Sequence, residues 1–233
     1  MKKGEMRKNS ILKAAEQLFF EKGYEQTSIQ DILDALSISK GGFYHYFESK
    51  IALLEEIARQ HSENALERIR MELMTGKFSP IQKVNLLLGA VNLFAREAPE
   101  FIALVLKISY IDGDVNFREH ARSFLLDSLR PMLDEIIREG LACGDLFTRH
   151  PAQLGRMLLM LAGDVNDAAC RLLALQADAP ECVIEIIDLL NTYRDSVEML
   201  SGAPFGKIEL FDIDQMMSAF RETARQINLL KAG

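Results

Sequence analysis

Twelve consecutive residues, Ser39-Lys40-Gly41-Gly42-Phe43-Tyr44-His45-Tyr46-Phe47-Glu48-Ser49-Lys50, hold the densest usable chemistry in the chain. Four of its 18 aromatic side chains fall within positions 43–47. Phe43 and Phe47 lie four apart and share one face of a helix. That face packs naturally on Ile32 and Leu36, so Tyr44, His45 and Tyr46 cannot all be buried with it. A short helix that shows hydroxyl-bearing rings and an imidazole, led by Ser39, Lys40, Gly41 and Gly42, suits the major groove of double-stranded DNA. Glycines allow close approach at its start, where free backbone N–H groups favour phosphate. Lys40 and Lys50 add cationic charge at either end. The competing reading is an ordinary aromatic-rich helix in a bundle. The residues before it decide between the two, because helix, short helix, tight turn and short helix is helix-turn-helix geometry.

Chemistry of other kinds is not visible. There is no Gly-x-Ser-x-Gly, no phosphate-cradling Gly-Lys-Ser/Thr loop and no His-Glu-x-x-His. The chain therefore reads as a non-enzyme without cofactor or metal. Asp112-Gly113-Asp114-Val115-Asn116 starts like a calcium loop, but Phe117 replaces the required Gly and Ser123 the closing Glu. The cysteines, Cys143, Cys170 and Cys182, are odd in number and lack CxxC spacing, which suits a reducing compartment.

The elements that must position the aromatic stretch are helical, since no segment alternates like a strand. Ile11, Ala15, Leu18 and Phe19 define a first helix that Gly23 ends. Thr27-Ser28-Ile29-Gln30 reads as a capping box, with Thr27 as cap and Gln30 reciprocating. Ile29, Ile32, Leu33 and Leu36 form the apolar face of a short second helix. Ser37-Ile38-Ser39 is a turn, a third short helix runs through Phe43 and Phe47, and a long fourth spans about Ser49 to Met74. Ser79-Pro80-Ile81-Gln82 caps the next helix, and Pro99, Pro151 and Pro180 each begin another. Asp178-Ala179-Pro180-Glu181 repeats the capping logic. Asp212 opens a last helix with the stripe Ile213, Met216, Met217, Phe220, Ala224 and Ile227. Pro131, inside a helical pattern, predicts a kink or break.

Bulk properties narrow the class. The chain has 233 residues, is 48% hydrophobic and 26% charged, and carries a net charge of −7. That excludes a uniformly basic coat, so contact with DNA must be local. Residues 1–59 are balanced, with nine Lys or Arg against nine Asp or Glu, and Glu16, Glu21 and Asp34 are expected to face away from DNA. No signal-peptide core follows the charged start, and the longest uncharged run, Val84 to Ala95, is too short to span a bilayer. A cytoplasmic protein with no membrane contact is expected.

Residues 7–57 resemble the DNA-binding domain of the TetR (tetracycline-repressor) family. The resemblance rests on Ile11-Leu12, Ala14-Ala15, Leu18-Phe19 and Gly23-Tyr24, then Thr27-Ser28-Ile29 and Ile32. It continues with Ser39-Lys40-Gly41, Phe43-Tyr44, Tyr46-Phe47, Lys50 and Leu53-Leu54. It implies an all-α fold: a three-helix helix-turn-helix domain over residues 1–50 and a helical ligand-binding and dimerisation bundle over residues 51–233. It implies that Thr27 or Ser28 touches a phosphate and that Lys40 and Gly41 lie at the groove-facing start of the recognition helix. Tyr44, Tyr46 and Lys50 would hold the DNA backbone, and His45 would reach a base edge or phosphate. Gly42 departs from the family's usual side-chain-bearing residue, which removes one base-reading group and shifts readout toward DNA shape.

The same resemblance implies a homodimer, built from helices near residues 152–176 and 180–200. Both are apolar on more than one face, through Leu154, Leu158, Leu161 and Val165, and through Val183, Ile186, Ile187 and Leu190. The alternative is that the last helix covers that face within one chain. A repressor is implied, reading a palindromic operator with recognition helices roughly 34–36 Å apart and released by a small, largely apolar effector. The pocket is expected among residues 80–175. Phe94, Leu104, Ile108, Phe117, Phe124, Met157 and Met160 are its candidate lining, and Tyr110, His120 and Asn166 its polar anchors.

Overall fold

Ten α-helices carry the described part of the chain, which in this computed structural model comprises residues 3–89, 99–176 and 180–232. They are α1 (Lys3–Lys22), α2 (Ile29–Leu36), α3 (Lys40–Tyr44), α4 (Lys50–Thr75), α5 (Pro80–Gly89), α6 (Pro99–Leu106), α7 (Val115–Cys143), α8 (Pro151–Gln176), α9 (Pro180–Ser201) and α10 (Ile213–Ala232). A single π-helical turn, Lys107–Ile111, extends α6. No strand occurs among the described residues, and no described helix is long and apolar enough to cross a membrane.

Local chemistry sets most boundaries. Gly23 adopts φ +83°, a left-handed geometry that side chains disfavour, and ends α1. Ser49 caps α4 by accepting from Ala52 N–H at 3.1 Å. Ser79 and Gln82 exchange the two bonds of a capping box at 2.9 and 3.3 Å. Asp212 caps α10. The capping box at α2 is displaced by one residue from the expected one. Ser28 is the cap and Asp31 the reciprocal acceptor, because Thr27 is fully buried and its hydroxyl is committed to the Leu18 and Gly23 carbonyls. The expected cap at Asp178 lies outside the described residues. Helix α7 is not broken at Pro131. The residue is exposed, so the backbone acceptor it leaves without a partner is on the water side.

Two buried clusters organise the chain. One joins Ile11, Ala15, Phe19, Ile32, Phe43, Phe47, Leu53 and Leu54 to the apolar residues of α6, α8, α9 and α10. The other lies between the second half of α4 and α5, α7, α8 and α9, around Leu66, Ile69, Leu87, Leu129 and Leu158. Helix α4 contributes to both, so it connects the N-terminal three-helix unit to the rest. Helix α10 buries Met216, Phe220, Thr223 and Ile227 against α6 and α8, while Ile213 from the expected stripe stays exposed.

Charge also ties α1 to α4. Glu56 lies 2.5 Å from Lys8 of α1 and 2.7 Å from Arg59. Its hydrogen bond from Arg59, assisted by Lys8, holds its carboxyl down at about 2, against an ordinary value of 4.5. A depressed folded-state pKa stabilises the fold above the unfolded value and loses that contribution as pH falls through the folded one. Glu56→Gln is therefore expected to lower the melting temperature at pH 7 by roughly 2–4 °C, the equivalent of ~1 kcal/mol in a chain of this size. The difference from wild type should shrink between pH 4.5 and 2 in a calorimetric pH series.

Candidate nucleic-acid interface and effector cavity

Helix α3 is held from below and open above. Phe43 is fully buried and Phe47, in the turn after the helix, nearly so; their ring centroids are 5.9 Å apart. Ser39 caps the helix by accepting from Gly42 N–H at 3.2 Å. Ser39, Lys40, Gly41, Tyr44 and His45 are exposed, with Tyr44 at 46%. A Cβ added at Gly41 would meet open space, so internal packing does not require a glycine there. Gly42 is half-buried. Tyr46 is also half-buried, leaning on the core with its ring edge-on to His45 at 4.8 Å.

Three expected contact residues have internal work. Thr27 is buried as described, so of the Thr27/Ser28 pair only Ser28, at the start of α2, is exposed, and its hydroxyl donates to Asp31 Oδ2 at 2.5 Å. Lys50 does not extend freely. Its ammonium donates to the carbonyls of Tyr24 (2.7 Å) and Thr27 (3.1 Å), approaches that of Glu25 (3.4 Å), and sits 4.2 Å from the Tyr24 ring centroid. It closes the loop between α1 and α2 onto the start of α4, satisfying carbonyls that follow the end of α1.

The helices behind this unit enclose a cavity of about 80 Å³, bounded by α4, α6, the π-turn, α7 and α8. Ala58, Phe101, Ile102, Val105, Leu106 and Leu125 supply apolar wall. The π-turn brings the consecutive residues Ser109 and Tyr110 to the cavity. Tyr110 donates its hydroxyl to Asp167 Oδ1 at 2.9 Å, and burial, with Cys170 and Asp167 nearby, pushes that hydroxyl well above the usual range. Burial also pushes the Cys170 thiol up to about 12, so it stays protonated and inert.

Of the residues expected to bind a ligand, Tyr110 and Asn166 line this cavity. Leu104 and Ile108 are buried in the core without lining it. Phe117, His120 and Phe124 line an adjoining hollow between α4 and α7, where His120 Nδ1 lies 2.8 Å from Glu55. Met157 and Met160 are turned away from both, at 45% and 50% exposure on the outside of α8, because the inner face of that helix is filled by Leu154, Leu158 and Leu159. Phe94 lies outside the described residues. Sequence reasoning missed Arg118, Arg122, Asp167 and Cys170 as lining residues.

The same α8 geometry revises the expected dimer face. Leu154, Leu158, Ile186 and Leu190 are buried within one chain, and Val183, Ile187, Leu161 and Val165 are half-buried. The large apolar side chains left open on α8 and α9 include Met157, Met160 and Ile184. The calcium-like loop has other duties: Asp114 caps α7 and Asp112 pairs with Lys107. No cluster of metal-ligating side chains occurs among the described residues.

An exposed short helix pinned by buried phenylalanines, over a helical body with an internal cavity, defines a helix-turn-helix DNA-binding regulator. Residues 11–57 match the family described as bacterial regulatory proteins, tetR family. An uncharacterized HTH-type transcriptional regulator of Bacillus subtilis (strain 168), YerO, is 28% identical over 221 residues, covering 93% of this chain and 73% of YerO. A TetR-family transcriptional regulator from Pectobacterium atrosepticum has the same fold, with TM-score 0.59 and 17% identity over 88% of this chain and 100% of that one. The Bacillus subtilis regulator FadR, solved in complex with stearoyl-CoA, aligns with TM-score 0.55 and 19% identity over 79% of this chain and 96% of its own. The chain is thus similar to TetR-family transcriptional regulators, through residues 11–57 in the family match and through most of its length in YerO.

Proposed function

We propose that the protein is a dimeric, effector-released repressor that reads a palindromic operator. Residues 1–50 form the DNA-binding domain and residues 51–233 the effector-binding and dimerisation domain, with α4 running from one into the other. The observation that carries this reading is the face of α3. Ser39, Lys40, Gly41, Tyr44 and His45 are exposed together on a helix whose other side is fixed by Phe43. Ser28, at the start of α2, adds a phosphate contact. Tyr46 and Gly42 border the contact and shape it. The dimer forms through α8 and α9, where Met157, Met160 and Ile184 await a partner face. The effector enters the cavity beside Tyr110 and Asn166. A fold neighbour solved with a bound small molecule supports such a site.

The test begins with a duplex enriched from random sequence by the protein itself. A retarded complex with two-fold symmetric sequence preference is expected. Lys40→Ala combined with Tyr44→Phe should weaken binding to every duplex alike and reduce the slope of log affinity against log salt by about 1 per protomer. Lys40 is exposed, and Tyr44→Phe keeps the ring that packs edge-on against Phe43, so the melting temperature should stay unchanged. Wild-type affinity and salt slope in that double variant would refute the proposed interface.

A further inference from the structure

The cavity is apolar on most of its wall, yet α7 puts two arginines into it, one turn apart. Arg118 and Arg122 both line the cavity, and the Nε of each is buried with no hydrogen-bond acceptor. Guanidinium groups keep their protons, so these donors cannot be relieved by titration. The nearby carboxylates are largely committed elsewhere. Asp167 accepts from Tyr110 at 2.9 Å and from Arg171 at 3.2 Å, and its closest approach to Arg118 Nε is 3.5 Å. Arg122 meets Asp164 at 2.7 Å through Nη2, on the exposed side of Asp164, which leaves Nε inside. Glu119 lies 3.9 Å from Arg118 Nε and 3.6 Å from Arg122 Nη1, so carboxylates outside the cavity share the guanidinium charge, and what the cavity itself leaves unmet is the pair of buried Nε–H donors. Helix α8 makes room for this. A Cβ at Gly163 would stand 2.9 Å from Arg122 Nε and from Leu126 Cδ1 and 3.0 Å from Arg122 Nη2, so a methyl there would push the guanidinium aside.

We propose that the effector is an anionic amphiphile: an acidic head group, carboxylate or phosphate, taken by Arg118 and Arg122, with an apolar chain against Phe101, Ile102, Val105 and Leu106. This rests on the reading of the cavity as the effector site. An anion supplies acceptors for both buried Nε–H groups through charge-assisted bonds, which a neutral or cationic ligand of equal length cannot form.

The experiment is calorimetric titration of the full-length protein with octanoate, octyl phosphate, octanol and octylammonium, each also added to the preformed DNA complex. Saturable binding of one or both anions is expected, at least tenfold tighter than octanol, with octylammonium weakest. Whichever anion binds tighter identifies the head group. Arg118→Gln with Arg122→Gln should erase the preference of anion over octanol, Arg118→Lys should keep part of it, and Gly163→Ala should reduce it by displacing Arg122. Octanol binding as tightly as both anions, a preference unmoved by the double substitution, or no binding by either anion would each overturn the proposal. If octanol matched the anions and still released DNA, the cavity would remain the effector site and only its charge preference would fall. If DNA binding itself were absent, the regulator reading would fall with it.

Discussion

Replacing Phe43 with alanine is expected to cost about 3–5 kcal/mol, enough to unfold the N-terminal unit at ordinary temperature. The ring is fully buried, lies 5.9 Å from Phe47 and 5.4 Å edge-on from Tyr44, and belongs to the cluster containing Ile32, Leu53 and Phe19. Helix α3 has only five residues and cannot hold its shape without that anchor. DNA binding should disappear, while the second buried cluster, around Leu87, Leu129 and Leu158, draws nothing from α3 and should persist. Circular dichroism should therefore show partial loss of helix, with effector binding weakened as well, because the cavity residues Phe101, Ile102 and Leu106 share the cluster of Phe43. Phe43→Leu, which keeps most of the volume, should lose far less stability and keep measurable DNA affinity. Wild-type DNA affinity in Phe43→Ala would mean that α3 is not the recognition element.

Such a variant tests the part of the molecule most legible in the sequence. Apolar spacing placed Phe43 and Phe47 inward and left Tyr44 outward, and short-range chemistry located the ends at Gly23, Ser49, Ser79 and Asp212. These features depend on neighbours within four residues, where local rules suffice. The misreadings share a different cause. Thr27 and Ser28 are equally good caps on paper, and the choice falls to Ser28 because the Leu18 carbonyl, nine residues back, takes the Thr27 hydroxyl. Lys50 looked free because its carbonyl partners lie 23 to 26 residues away. Met157 and Met160 fit a pocket by type, but a helix apolar on several sides does not declare which side meets its own chain. Arg118 and Arg122 did leave a trace. They occupy the same helical stripe of α7 as Ala121, Leu125 and Leu129, and a cation within an apolar stripe is the pattern that marks a buried polar site.

His61→Ala is expected to uncouple the two halves of the molecule while leaving each able to bind. The imidazole Nε2 of His61, on α4, lies 2.6 Å from Glu16 of α1. Its ring stacks on Phe101 of α6, with centroids 3.8 Å apart and planes 13° from parallel. Phe101 is itself a wall of the cavity. A ligand that shifts this wall would move the stacked imidazole or break its bond to α1, and under the proposed function occupancy of the cavity would then bias the placement of the DNA-binding unit. Coupling of this kind is typically worth about 1–3 kcal/mol, a 5- to 150-fold change in affinity, and is reciprocal. In wild type, saturating octanoate should weaken DNA binding by a factor in that range, and saturating DNA should weaken octanoate binding by the same factor. His61→Ala should bring both factors together toward one while each ligand alone binds within about threefold of wild type. His61→Gln, which can still reach Glu16 but cannot stack on Phe101, should fall between. Undiminished mutual antagonism in His61→Ala would show that the signal crosses α4 elsewhere, and the polar contact between α7 and α4 made by His120 with Glu55 would be the next to cut.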